Sequence, residues 1–302
     1  MNPLRIAAAQ YPLDRPTSFD GWRRKIAQWC ERASCAGAEL LVFPEYAGME
    51  LAGLLDDETV GDLAGSIRGM QAFVTDAVSH HASLARQHGV HILQGSLPVE
   101  TADGQFVNRA FLHAPNGRSG FQDKQIMTRF ERETWGIRSG GETMRLFDTT
   151  LGRIGVLICY DSEFPLLARA LCEAGAVILL VPSCTETEAG YWRVRIAAQA
   201  RALENQCLVV QSPTVGPAAW SPAIDVNVGA AGLYGPPDDG WPATGVIASG
   251  MADQCCWVKA EIDPAMIERT RADGVVLNHR DWREQTADGG RVRINVETVD
   301  LR

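Results

Sequence analysis

The chain has 302 residues, 46% of them hydrophobic and 22% charged, a globular composition that excludes a disordered or fibrous protein. Its net charge of −9, with no run of Lys or Arg, provides no electrostatic footprint for nucleic acid or an anionic membrane surface. The longest aliphatic run, 176–181, is far too short to span a bilayer.

Short apolar runs alternate with longer helical stretches. Residues 4–10 predict a strand; 18–36, with Trp22, Ile26, Trp29 and Ala33 at helical spacing, predict a helix. A second strand is expected at 40–43, then one long helix over 65–88 closed by Gly89, with His80, His81 and His88 on its surface. The run 91–95 reads as a strand paired with 106–113. After a long loop come strand 153–159, helix 164–173, strand 176–181, helix 189–205 and strand 207–211. This succession predicts an α/β layered fold. Residues 213–250, rich in Pro and Gly, predict extended loops and hairpins. A late strand is expected at 254–262 and a strand-like segment at 292–299. No repeat or low-complexity linker cuts the chain, so one domain is expected over 1–302, with a core over about 4–282 and a tail over 283–302.

The eight cysteines stand at 30, 35, 159, 172, 184, 207, 255 and 256. The N-terminal residues lack a signal-peptide pattern, which predicts a reducing, cytoplasmic setting and free thiols. There is no Cys-x-x-Cys and no His at zinc-finger spacing, so no metal site is expected. The adjacent pair Cys255 and Cys256 reads as strand filler, since neighbouring side chains on a strand point to opposite faces.

Three apolar strands end in a polar or reactive group: 40–44 delivers Glu45, 153–158 delivers Cys159, and 177–182 delivers Ser183. In open α/β sheets, ligands collect just outside strand ends. A nucleophilic thiol needs a base or a nearby cation. None of the six histidines falls in a strand-end motif, so a carboxylate and a lysine are the alternative equipment, with Lys124 in the loop after 106–113.

Glu45 in Phe-Pro-Glu-Tyr, Lys124, and Cys159 in Ile-Cys-Tyr-Asp-Ser-Glu-Phe-Pro, separated by 79 and 35 residues, resemble the nitrilase (carbon–nitrogen hydrolase) superfamily. Gly175-Ala176 leading into Val181-Pro182-Ser183, Ala-Arg-Ala-Leu-Glu-Asn at 200–205, the first strand with Gln10 and Gly245-Val246-Ile247 extend the resemblance over residues 4–282. The resemblance implies a four-layer α-β-β-α sandwich that associates through helices as a homodimer or higher homo-oligomer. It also implies a Glu-Lys-Cys triad with no metal or organic cofactor. Cys159 would be the nucleophile, Glu45 the general base and Lys124 a donor near the oxyanion, joined by the backbone N–H of Tyr160. A second glutamate, seven residues before a Pro-Gly glycine in the family, would be Glu133 by counting from Gly140, with Glu131 as the competitor.

The expected function is hydrolysis of a non-peptide C–N bond in a small linear amide through a cysteine thioester, and Cys159-Tyr160-Asp161 favours an amidase over a nitrile-hydrolysing branch. A nitrile hydrolase, an acyl or amidine transferase of the same fold, and a non-catalytic binding relative are the alternatives. Tyr46, Ser183, Cys184, Thr185 and Trp192 are placed in sequence to line the pocket. Two departures from the family pattern, Gln125-Ile126-Met127 after the lysine and Ser162-Glu163 after the cysteine, leave the acyl group and the leaving amine open.

Overall fold

A computed structural model describes residues 3–286, 292–293 and 297–299. Among the described residues, the 14 strands are β1 (Leu4–Pro12), β2 (Leu40–Val42), β3 (His91–Glu100), β4 (Phe106–His113), β5 (Ser119–Asp123), β6 (Ile137–Arg138), β7 (Leu146–Thr149), β8 (Gly152–Val156), β9 (Ile178–Ser183), β10 (Leu208–Pro217), β11 (Val226–Asn227), β12 (Gly232–Tyr234), β13 (Val246–Ser249) and β14 (Cys256–Ile262). They form two sheets. The first runs β14-β1-β2-β3-β4-β5, with β6 parallel to the start of β4. The second runs β13-β12-β10-β9-β8-β7, with β11 antiparallel to the end of β10. They meet where Tyr11 and Pro12 of β1 pair with Thr214 and Val215 of β10. Beside this seam the single Ser212 O–H is shared between the carbonyl oxygens of Ala9 (2.7 Å) and Val42 (2.9 Å).

Strand periodicity sorts the core into layers. Ile6, Ala8, Leu40 and Val42 join Val156, Leu180, Val210 and Leu233 in one buried cluster between the sheets. The alternate residues Ala7, Ala9, Leu41 and Phe43 pack on the other side against Trp22, Ile26 and Trp29 of helix Phe19–Cys35 and Leu84 of helix Gln71–His88. Ala168 and Leu171 of helix Pro165–Glu173 and Val194, Ala198 and Ala202 of helix Glu188–Asn205 cover the second sheet. The layer order is helix, sheet, sheet, helix, the α-β-β-α sandwich.

The expected helix over 65–88 is divided at Met70 into Leu63–Gly69 and Gln71–His88. The Leu55 side chain of the preceding segment packs against the break, 2.7 Å from where a Cβ at Gly69 would stand. His81 is not a surface residue. It is buried, and its ring packs against Trp22, Phe43 and His113. The strand-like segment 292–299 lies partly outside the described residues. Among the described residues, no helix is long and apolar enough to cross a membrane.

Candidate active site

Glu45, Lys124 and Cys159 converge from three separate loops. Glu45 follows β2 by way of Phe43 and Pro44. Its turn rests on a bulge in β3, where Gly95 has φ +82° and a Cβ would sit 2.1 Å from the Pro44 carbonyl oxygen. Only glycine fits there. Ser96 then donates its N–H to Pro44 O (3.2 Å) and accepts the Tyr46 N–H on its hydroxyl (3.1 Å). Lys124 follows β5, its backbone fixed by Lys124 N to Asn108 O and Gly140 N to Lys124 O, each 2.9 Å. The strand expected to run to Cys159 ends at Val156. Cys159 itself has φ +49° and opens the helical turn Cys159–Glu163. A non-glycine residue in that region is strained, the kind of strain that clusters at functional sites.

The 200–205 motif supports this turn. Arg201, ion-paired with Glu204 at 2.9 Å, donates from Nη1 to the Ser162 carbonyl (2.9 Å), and Ser162 Oγ donates to the Cys159 carbonyl (2.6 Å).

Lys124 is fully enclosed, and its ammonium bridges two carboxylates, Glu45 Oε1 at 2.8 Å and Glu131 Oε2 at 2.6 Å. The second glutamate beside the lysine is therefore Glu131. Glu133 is exposed and pairs with Arg129 at 2.8 Å. Two positions apart on the single π-helical turn Glu131–Trp135 the side chains point to opposite sides, so only one of the pair faces inward. Glu131 Oε1 accepts the Tyr46 hydroxyl (2.5 Å), and Oε2 accepts the N–H and hydroxyl of Thr128, each at 2.9 Å. Asn108, buried on β4, donates to Glu45 Oε1 (2.9 Å) and Glu131 Oε1 (3.2 Å). The sequence reading missed it. Its signal was an amide inside the otherwise apolar alternation Phe106, Asn108, Ala110. Glu45 Oε2 accepts the Cys184 N–H at 3.0 Å.

The two carboxylates diverge electrostatically. Burial pushes Glu45 above the ordinary carboxylate range, against the pull of Lys124 and helped by the charge of Glu131. Burial also acts on Glu131, but Lys124 and the hydrogen bonds from Lys124, Tyr46 and Thr128 outweigh it and hold Glu131 below that range. For Lys124, burial opposes the charge and the two glutamates outweigh it, so its pKa lies well above the ordinary value. Burial, with Glu45 beside it, pushes the Cys159 thiol well up, so its resting form is the thiol. Asp161 is likewise buried, and its carboxyl is pushed up to about 7 by that burial.

Glu45, Lys124, Glu131 and Cys159 line a cavity of about 210 Å³, below the usual range of ligand pockets and suited to a small substrate. Tyr46, Cys184 and Thr185 line it together with Tyr160, Thr128, Phe130 and Trp135. Two expected lining residues do not. Ser183 is buried within β9, its hydroxyl directed to the Ser212 carbonyl, and Trp192 lies on the outer face of its helix, 45% exposed. Among the described residues, no group of three or more His, Cys, Asp or Glu is arranged to hold a metal ion.

The four-layer sandwich is the carbon–nitrogen hydrolase fold, and the chain belongs to that family: the family model described as "Carbon-nitrogen hydrolase" matches residues 5–237. A relative in Bacillus subtilis (strain 168), "Probable hydrolase YhcX", is 34% identical over 93% of this chain and 54% of its own length. A "Deaminated glutathione amidase" of Yersinia enterocolitica is 34% identical over 44% of this chain and 50% of its own. The chain thus spans about half the length of both relatives. Among solved structures, Saccharomyces cerevisiae Nit3, described as a member of branch 10 of the nitrilase superfamily, superposes with a TM-score of 0.72 at 22% identity, covering 92% of this chain and 97% of that one. This likeness shows the shared nitrilase fold.

Proposed function

We propose that the protein hydrolyses a small linear amide, with Cys159 as nucleophile, Glu45 as general base and Lys124 as electrophilic donor. The observation that carries this reading is the placement of Glu45: a buried carboxylate with raised proton affinity, fixed by Lys124, Asn108 and the Cys184 N–H, beside a protonated thiol. A thiol held neutral requires a base at the moment of attack, and a carboxylate poised above its usual range is matched to that task. In the proposed sequence the Cys159 thiol proton passes to Glu45 as sulfur attacks the amide carbon. Glu45 returns the proton to the departing amine, leaving a thioester. Water deprotonated by Glu45 then cleaves the thioester and regenerates the thiol. The Lys124 ammonium and the Tyr160 N–H, directly after the nucleophile, are the proposed donors to the developing oxyanion, each worth about 3–4 kcal/mol. Glu131, which stays ionised, holds Lys124 charged and oriented. The amidase name carried by the Yersinia relative supports an amide over a nitrile.

A further proposal concerns assembly. Leu166 (70% exposed) on helix Pro165–Glu173 and Ile196 (61%) on helix Glu188–Asn205, with Trp192 and Leu203 nearby in sequence, leave apolar side chains uncovered on the second sheet's helical layer. A homodimer through this layer would cover them. A reducing compartment such as the cytoplasm suits a mechanism that needs the free Cys159 thiol.

Mass spectrometry after mixing the protein with a panel of short amides tests the chemistry. An acyl adduct on Cys159, lost in Cys159→Ala together with all turnover, is the expected result. Adducts confined to Cys184 or Cys255, or turnover surviving in Cys159→Ala, would overturn the assignment.

A further inference from the structure

The charged residues lining the cavity are Glu45, Lys124, Glu131, Glu163, Glu186 and Arg193. The first three are engaged with one another. Four carboxylates against two cations leave the cavity with an excess of negative charge, inside a chain that is itself at −9. An anionic substrate entering it meets repulsion, and a cationic one is drawn in.

Glu163 closes the same turn that Cys159 opens, and its side chain is mostly enclosed, 19% exposed. Its ionic partner, Arg193 Nε, stands 3.5 Å away on a side chain that is 61% exposed. That separation exceeds a normal N–H···O bond, and a pair whose guanidinium is largely in water contributes little. The carboxylate is therefore available to a better-placed cation from within the cavity, while Arg193 turns to water. Trp135, Ala223 and Ile224 supply apolar lining for the methylene segment such a substrate would carry.

We propose that the substrate is a small amide whose acyl chain ends in an ammonium or guanidinium group, and that Glu163 is the residue that recognises this cation. This inference rests on the hydrolase reading above and names its substrate class.

The test uses four amides of equal chain length ending in an ammonium, a guanidinium, a methyl group or a carboxylate. Turnover is measured on the intact protein, and affinity for the same compounds on Cys159→Ala. The expected order of kcat/KM and of affinity is cation, then neutral, then carboxylate, with the cation at least about tenfold above the methyl compound at low salt. That margin shrinks as salt rises. In Glu163→Gln the ratio of cationic to neutral kcat/KM falls about tenfold, and in Glu163→Arg the order of cation and carboxylate reverses. A carboxylate preference in the unmodified protein, pointing to Arg193 as the reader, or a ratio unmoved by Glu163→Gln, overturns the inference. Charge-ordered binding without turnover of any compound would instead overturn the hydrolase reading and leave the recognition by Glu163 standing.

Discussion

The carboxylate of Asp161 accepts the backbone N–H of Ile126 at 2.8 Å and also that of Gln125, at 3.1 Å. Two residues after the proposed nucleophile, it ties the turn of Cys159 to the loop of Lys124, so the donor and the nucleophile cannot drift apart without breaking these hydrogen bonds. Asp161→Ala removes the acceptor of both N–H groups. The expected result is a loss of about 1–3 kcal/mol in urea unfolding and a fall in kcat of tenfold or more, because small misplacements of reacting groups are costly. An unchanged kcat would show that other contacts hold the two loops in register.

Glu131 raises the proton affinity of Glu45 by its charge. Removing that charge in Glu131→Gln also leaves Lys124 to interact mainly with Glu45. Both changes favour the ionised form of Glu45, so the acid limb of the kcat/KM profile is expected to move to lower pH while its plateau drops. An acid limb that stays in place would remove Glu45 from the role of titrating base.

Glu133→Gln is the companion measurement. Its side chain is exposed and paired only with Arg129 at the surface, so stability is expected to change by less than about 0.5 kcal/mol and the pH profile to stay where it is. A loss of activity comparable to that of Glu131→Gln would contradict the arrangement around Lys124.

Burial, reinforced by neighbouring His113, pushes the His81 imidazole down to about 3, and burial holds His113 at about 4. In the unfolded chain both return to about 6.5. Between these values the unfolded state binds more protons, so their contribution is fully present above pH 6.5 and is lost as pH falls toward 3. Glu50 and Asp161, held at about 6 and about 7 chiefly by burial, act in the opposite sense. Their contribution is present at low pH and declines as pH rises from 4 to 7. Replacing His81 by Phe keeps a ring against Trp22 and Phe43 and removes a buried Nε2 that has no partner. Thermal unfolding should show a shallower loss of stability between pH 6.5 and 4 in His81→Phe, by a few kcal/mol at the acid end. An unchanged pH dependence would show that His81 is not among the groups driving it.

Ile196→Glu places a charge in the middle of the uncovered apolar helix face. Sedimentation velocity is expected to show a shift from dimer to monomer. A dimer that persists unchanged would locate the association elsewhere.

Local sequence determined the longer apolar strands and the ends near which Glu45 and Cys159 emerge, because a short apolar run and a following turn are properties of a few neighbouring residues; the edge strands β5, β6 and β7 carry no such run and came only from the fold. The spacing of Lys124 from these two, matched to a family pattern, completed the triad. What lies around the triad was decided only by the tertiary structure. Asn108 becomes part of the site because β4 runs beside the loop of Lys124. Glu131 rather than Glu133 faces the lysine because a helical turn sends residues two apart to opposite sides. Ser183 is turned into β9, Trp192 outward and His81 inward because packing between distant elements settles orientation. A one-dimensional pattern places a residue on an element, but the neighbours of its side chain come from segments far away in the chain, and it is their close packing that selects which groups meet.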